Sequence, residues 1–93
     1  MLSEARQKQV HNECNYNREK LAKVELCGCF YCLEIYSPKE INEWIDKGEK
    51  TALCAKCSID SVIPSNVDKN FGAVLLKELY DYWFGKKLNA HDL

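Results

Sequence analysis

Apolar positions along the chain change their period more than once. From residue 2 to residue 26 they are sparse, with Leu2, Ala5, Val10, Leu21, Val24 and Leu26 set in a polar stretch that contains no glycine. This spacing predicts a weakly amphipathic helical arm over residues 1–26, interrupted between Asn12 and Asn17, where polar turn formers gather. The runs CFYCLEIY and TALCAKCSIDSVI are short and rich in β-branched and aromatic residues, and the second stops at Pro64, so both predict extended pieces. Between them lies SPKEINEWIDKG. Ser37 suits an N-cap, Pro38 the first helical position and Glu40 the far side of a capping box. Ile41, Trp44 and Ile45 then follow at i, i+3 and i+4, and Gly48 can close the element, which predicts a helix over residues 38–47.

The last periodic run, FGAVLLKELYDYWF, predicts a C-terminal helix over residues 68–84, capped by Asp68 or Asn66 and stopped by Gly85. Its apolar and aromatic residues cover roughly 280° of a helical wheel, far more than one small core requires. Two explanations follow. Either the helix is central, covered by the cysteine-rich core on one side and the arm on the other, or Tyr80, Trp83 and Phe84 stay available to a partner. That partner is a second copy of the chain or another protein.

Ninety-three residues suit one small domain, 1–93, of a size at which a metal or an oligomer interface often supplements the apolar core. Hydrophobic residues at 46% and charged residues at 29% place the chain among globular sequences and outside disordered ones. Net charge is −1, and four thiolates with one dication would make it −3, so no basic excess drives phosphate binding. Residues 1–26 carry five Lys or Arg against four acids, and residues 27–60 four against six, so neither segment is a basic patch. The N-terminus MLSEARQKQV lacks the apolar run of a signal peptide, and no stretch approaches the roughly 18 apolar residues of a membrane span. A cytoplasmic location, without membrane association, follows as the expectation. There the six cysteines read first as metal ligands and spares.

Cys29, Cys32, Cys54 and Cys57 form CxxC, a 21-residue spacer and a second CxxC. Two residues between thiolates let the chain fold back so that both sulfurs and nearby N–H groups face one ion, and two such turns supply a tetrahedral Cys₄ set. One structural Zn²⁺ is the expected cofactor, because nothing else in the chain speaks for electron transfer. An iron–sulfur or rubredoxin-like iron centre also uses four cysteines, and spacing does not separate the two. Buried free cysteines and a thioredoxin-like redox pair are the remaining readings; neither motif sits in a βαβ pattern. A four-thiolate site is full, and His11 and His91 are the only histidines, so metal catalysis is not expected and no catalytic residue is assigned. His11 reads as a solvated helix residue and His91 as part of a polar tail. Cys27 is the alternative ligand, since it can stand in for Cys29 opposite Cys32 across a longer loop; otherwise it packs beside the site, and Cys14 reads as a partly buried spare.

CGCFYC, SPKEINEWIDKG, TALCAKCSIDSVI and the terminal YWF together resemble a family of small, uncharacterised bacterial cytoplasmic proteins with a zinc-ribbon-like core, over roughly residues 11–84. The resemblance implies metal ligands at Cys29, Cys32, Cys54 and Cys57, with Cys27 in the same signature. The second knuckle of that family typically reads CPxCG, whereas this chain has Ala55 and Ser58 at the proline and glycine positions. Glycine there reaches positive φ, so Ser58 is expected to distort the turn or move it towards a helical start. The competing architecture is a treble clef, whose second CxxC opens a helix; Ile59, Val62 and Ile63 favour an extended return instead.

The sequence thus predicts an α+β domain: a small Cys₄ zinc-ribbon-like core, residues 27–64, with an inserted helix and flanking helices. The function expected is non-enzymatic binding of another protein, of which a small inhibitor or anti-defence protein is one form. The second reading is a nucleic-acid-binding or regulatory zinc ribbon, using Arg6, Lys8, Arg18, Lys20 and Lys23 on the arm and stacking bases on Phe30 and Tyr31. Interleaved Glu4, Glu13, Glu19 and Glu25 argue instead for a solvated charged face. The third is a redox-switched zinc protein in which oxidation of Cys27 releases the metal.

Overall fold

The computed structural model describes residues 2–85; His91 lies outside them. Ser3 caps helix α1 (Glu4–Asn12) by accepting the Arg6 N–H at 3.1 Å. The expected interruption is present, and α2 (Arg18–Leu21) follows it. Asn17 holds the break. Its wholly buried side chain donates to the carbonyls of Glu13 at 3.0 Å and Val62 at 2.7 Å, and accepts the Ala52 N–H at 3.2 Å. One amide thereby ties the arm to both strands that flank the second CxxC, and removing it would leave buried backbone groups without partners.

Strands β1 (Cys27–Cys29), β2 (Ile35–Tyr36) and β5 (Val62–Pro64) form an antiparallel sheet with β1 in the centre. Cys27 faces Tyr36 on one side and Pro64 on the other, while Gly28 faces Ile35 and Ile63. A second ladder pairs β3 (Trp44–Ile45) with β4 (Thr51–Ala52).

That second ladder replaces the helix expected over residues 38–47. Ser37 does cap, accepting the Lys39 N–H at 3.2 Å, and Pro38 does open a helical turn, but the turn is a 3₁₀ segment covering only Pro38–Glu40. Ile41 is already extended and points into the core. Trp44 and Ile45 have strong β propensity as well as helical spacing, and pairing with Ala52 and Thr51 settles the choice. Asp46, Gly48 and Glu49 take positive φ to turn the hairpin. Glu40 pairs with Lys56 at 2.8 Å, and its carboxylate also meets the Ser37 backbone N–H, the acidic half of the expected capping box.

The sheet separates two cores. On one face Cys27, Cys29 and Val62 join Leu21, Tyr36, Ile41, Ala52 and Cys54. On the other, Ile63 and Phe30 join Val10, Cys14, Leu75, Leu76 and Leu79. The period of two in C-G-C-F therefore sends the cysteines one way and Gly28 with Phe30 the other. Glycine is required at 28 by close approach: a Cβ there would stand 2.9 Å from Leu76 Cδ1 and 3.0 Å from Phe71 Cζ.

The C-terminal helix is shorter than expected. Asp68 is extended, and its carboxylate accepts the Asn70 N–H at 2.8 Å, so residues 68–72 form a turn. Helix α3 (Ala73–Tyr80) begins after Gly72 and continues as one π-helical turn, Asp81–Gly85. Among the described residues no helix is long and apolar enough to cross a membrane.

Candidate metal centre

Each CxxC sits in a turn between strands, and the two turns repeat the same hydrogen bonds. In the first, the Leu33 N–H reaches the Cys29 carbonyl at 2.8 Å, the Cys29 N–H reaches Glu34 O at 3.0 Å, and the Tyr31 N–H points at Cys29 Sγ at 3.3 Å. In the second, Ser58 N–H to Cys54 O is 2.9 Å, Cys54 N–H to Ile59 O is 2.9 Å, and Lys56 N–H to Cys54 Sγ is 3.3 Å. The residue closing each turn has the same left-handed conformation, φ 67° at both Leu33 and Ser58. The expectation that Ser58 would distort the second turn therefore does not hold; serine adopts the angle that glycine would. No helix follows Cys57, because the chain runs into β5, so the treble-clef alternative is not formed.

A non-glycine residue in this region carries a steric cost, and Ser58 is exposed, so glycine would remove that cost without loss of packing. Ser58→Gly is expected to stabilise the protein by about 0.5–1 kcal/mol, against the entropy glycine regains on unfolding. The midpoint of thermal unfolding should rise by about 2–6 °C; a lower midpoint would show that the turn carries no relievable strain.

The four sulfurs of Cys29, Cys32, Cys54 and Cys57 all lie within 4.8 Å of one another. Two cross-turn separations, Cys29 to Cys57 and Cys32 to Cys54, are 3.7 Å. A tetrahedral ion bonded to sulfur at about 2.3 Å, the distance usual for Zn²⁺, spaces its ligands about 3.8 Å apart. The donor set thus fits such an ion in number, element and spacing. Cys29 and Cys54 are buried and Cys32 and Cys57 half-buried, so the ion would be largely screened from water.

Tyr36 is the contributor that the sequence did not single out. From β2 its hydroxyl donates to Cys54 Sγ at 3.2 Å and accepts the Ala55 N–H at 3.0 Å, while Lys56 Nζ lies 5.5 Å from the ring centroid. Burial raises the Cys54 pKa, but the Tyr36 hydroxyl and the N–H groups of Lys56 and Cys57 outweigh it and lower the thiol to about 7. Burial instead pushes Cys32 up to about 11 and Cys29 higher still, so as free thiols both are neutral. Partners of this kind around ligand atoms typically matter 10- to 100-fold in metal affinity. Tyr36→Phe, which keeps the ring, is expected to weaken zinc binding about 10-fold in competition with a chromophoric chelator. Unchanged affinity would mean that the hydroxyl serves only the Ala55 N–H.

Cys27, the alternative ligand, is outside the four-sulfur set. Its side chain is 0% exposed and donates to the Tyr36 carbonyl at 3.4 Å, and burial raises its pKa to about 12. Cys14 is likewise buried, in the helix-side core. His11 is not a solvated residue: its ring lies 4.0 Å from Trp83 and 5.4 Å from Phe30, and burial lowers its pKa although Asp60 opposes this.

The aromatic residues expected at a partner surface are gathered against the first knuckle. Phe84 lies 5.1 Å from Tyr31 and 6.0 Å from Phe30, and Tyr80 lies 5.4 Å from Phe84. All three of Tyr80, Trp83 and Phe84 are half-buried, with ring faces engaged by their own chain. Phe30 is 1% exposed and unavailable for stacking bases, whereas Tyr31 is 43% exposed. Two of the arm's cations are paired within the fold, Arg6 with Asp68 and Lys20 with Glu13. Comparison of the chain with protein-family models, curated proteins and solved structures gives no match.

Proposed function

We propose that the chain is a non-enzymatic protein-interaction module whose fold is fixed by one structural Zn²⁺ on Cys29, Cys32, Cys54 and Cys57. The observation that carries this reading is the closure of the site. Four sulfurs at tetrahedral spacing satisfy the ion and leave no position for water or substrate, the arrangement typical of structural zinc. In this reading the frame is zinc-ribbon-like, with one knuckle between β1 and β2 and the other between β4 and β5. Two of the sequence words that resemble the small bacterial family, CGCFYC and TALCAKCSIDSVI, contain these two knuckles. The nucleic-acid reading draws less support, because Phe30 is buried and Arg6 and Lys20 are committed to acids. The redox reading is weakened by the full burial of Cys27.

Metal uptake must expel the protons of Cys29 and Cys32, whose pKa values stand far above neutrality. Because protons compete for the ligands, affinity rises with pH and falls as pH drops. Cys29 and Cys32 alone release two protons, so the zinc affinity should fall at least about 100-fold per pH unit between about pH 7.5 and 6.5. Calorimetry in buffers of different ionisation heat reads the released protons directly. Native mass spectrometry should show one zinc per chain; a coloured, iron-loaded protein or a chain without metal would overturn the zinc assignment.

A further inference from the structure

The β1–β2 ladder ends at the pair Cys27 and Tyr36. Just beyond it the two strands diverge, with residues 22–25 on one wall and residues 37–39 on the other, and a groove of about 500 Å³ opens between them. Leu21, Val24, Pro38 and the half-buried Trp44 give it an apolar lining. Arg18, Lys23 and Lys39 bring three cations to its rim, against one carboxylate, Glu25.

Three features bear on what this groove can bind. Its rim is cationic by two charges on a chain whose net charge is −1. The four ion pairs among the described residues use Arg6, Lys20, Lys56 and Lys77, and none of the groove cations. Arg18 is held in place by other means: its guanidinium lies 4.5 Å from the Trp44 ring centroid and donates to the Glu49 carbonyl at 2.9 Å. Arginine and tryptophan are both among the residue types enriched in binding hot spots.

We propose that this groove binds a short acidic segment of a partner protein, an apolar or aromatic side chain lying on Trp44 and carboxylates meeting Arg18, Lys23 and Lys39. The proposal rests on the reading of the chain as an interaction module and names the site and the chemistry of its partner. Charge complementarity selects this occupant. A local cationic rim attracts carboxylates, while the net negative charge of the whole chain disfavours a long polyanion such as nucleic acid. The groove is also independent of Tyr80, Trp83 and Phe84, whose rings are already packed internally.

The test uses the zinc-loaded full chain, ¹⁵N-labelled, and a capped fluorescent peptide Glu-Asp-Phe-Leu-Glu-Glu, with Lys-Lys-Phe-Leu-Lys-Lys as its charge-reversed control. Saturable binding of the acidic peptide alone is expected, with amide shifts confined to residues 18–25 and 37–44. The double variant Lys23→Gln, Lys39→Gln removes two side chains that make no hydrogen bond or ion pair among the described residues, and should weaken binding about tenfold or more at unchanged zinc content and melting temperature. Affinity should also fall as salt rises from about 50 to about 300 mM. No saturable binding by about 1 mM peptide, equal binding of the reversed peptide, or full binding by the double variant overturns the proposal. Displacement by a single-stranded oligonucleotide reassigns the groove to nucleic acid, and self-association lost in the double variant reassigns it to a second copy; either outcome overturns it too. A zinc-free preparation would instead count against the metal reading, so the two failures are told apart.

Discussion

Cys29→Ser is expected to abolish stoichiometric zinc binding and, with it, the cooperative unfolding transition of the protein. Serine offers a hard, weakly acidic hydroxyl where a buried thiolate accepts the Tyr31 N–H at 3.3 Å and the Cys32 N–H at 3.5 Å. Structural zinc sites contribute apparent free energies of about 10–16 kcal/mol in small domains, comparable to or larger than the whole stability of about 5–15 kcal/mol usual for a folded domain. Loss of most of that term would leave the cysteine-side core, Leu21, Tyr36, Ile41, Ala52 and Val62, without the proposed ion between its two knuckles. The matching experiment is native mass spectrometry and thermal unfolding of Cys29→Ser beside Cys27→Ser. The second variant should keep one zinc per chain, because Cys27 lies outside the ligand set and its hydrogen bond to Tyr36 O is one serine can also make. Zinc loss in Cys27→Ser with retention in Cys29→Ser would exchange the two residues' roles.

The contrast between these neighbours shows what a sequence of this kind makes legible. The two CxxC motifs are local devices, and their spacing alone announces that four sulfurs can meet. The interruption of the arm is legible for the same reason, since Asn12, Asn15 and Asn17 are turn formers wherever they occur. The stretch 37–48 misleads because its local chemistry is truthful but short-ranged. Ser37 and Pro38 start one helical turn, and then a partner strand eight residues or so further on decides the fate of Trp44 and Ile45. Tyr36 and Asn17 lie beyond such reading for a related reason: the atoms they serve are 18 and 45 positions away. A tyrosine in a β-like run and an asparagine at a turn carry no local sign that one supports a sulfur of the four-cysteine cluster and the other pins three segments.

The sharpest case is the pair between the first two ligands, Phe30 and Tyr31, which sequence reasoning treats alike as the tip of a knuckle. Phe30 continues the alternation of β1, and its N–H reaches Ser61 O at 3.0 Å while its ring turns into the helix-side core beside Leu75, Leu76 and Leu79. Tyr31 is 43% exposed and lies on the rim of the same side, 5.1 Å from Phe84 in an edge contact and 6.1 Å from Tyr80. Phe30 is therefore a fully buried side chain that leaves the cysteine knuckle and anchors it in the opposite core, with the half-buried Leu33 packed beside it. Phe30→Ala should destabilise the protein by about 3–5 kcal/mol, the cost of emptying a buried phenylalanine site that cannot fully collapse. Tyr31→Ala should cost no more than about 1 kcal/mol, the worth of a half-exposed aromatic contact. Because no ligand is altered, Phe30→Ala should still take up one zinc, yet release it at lower denaturant than the parent protein, with metal loss and helix loss in a single transition. Denaturation followed in parallel by a zinc-sensitive dye and by far-ultraviolet circular dichroism measures both. A cost below about 1 kcal/mol, or helix melting while zinc stays bound, would mean that the two cores are coupled through the β1–β5 ladder instead of through this ring.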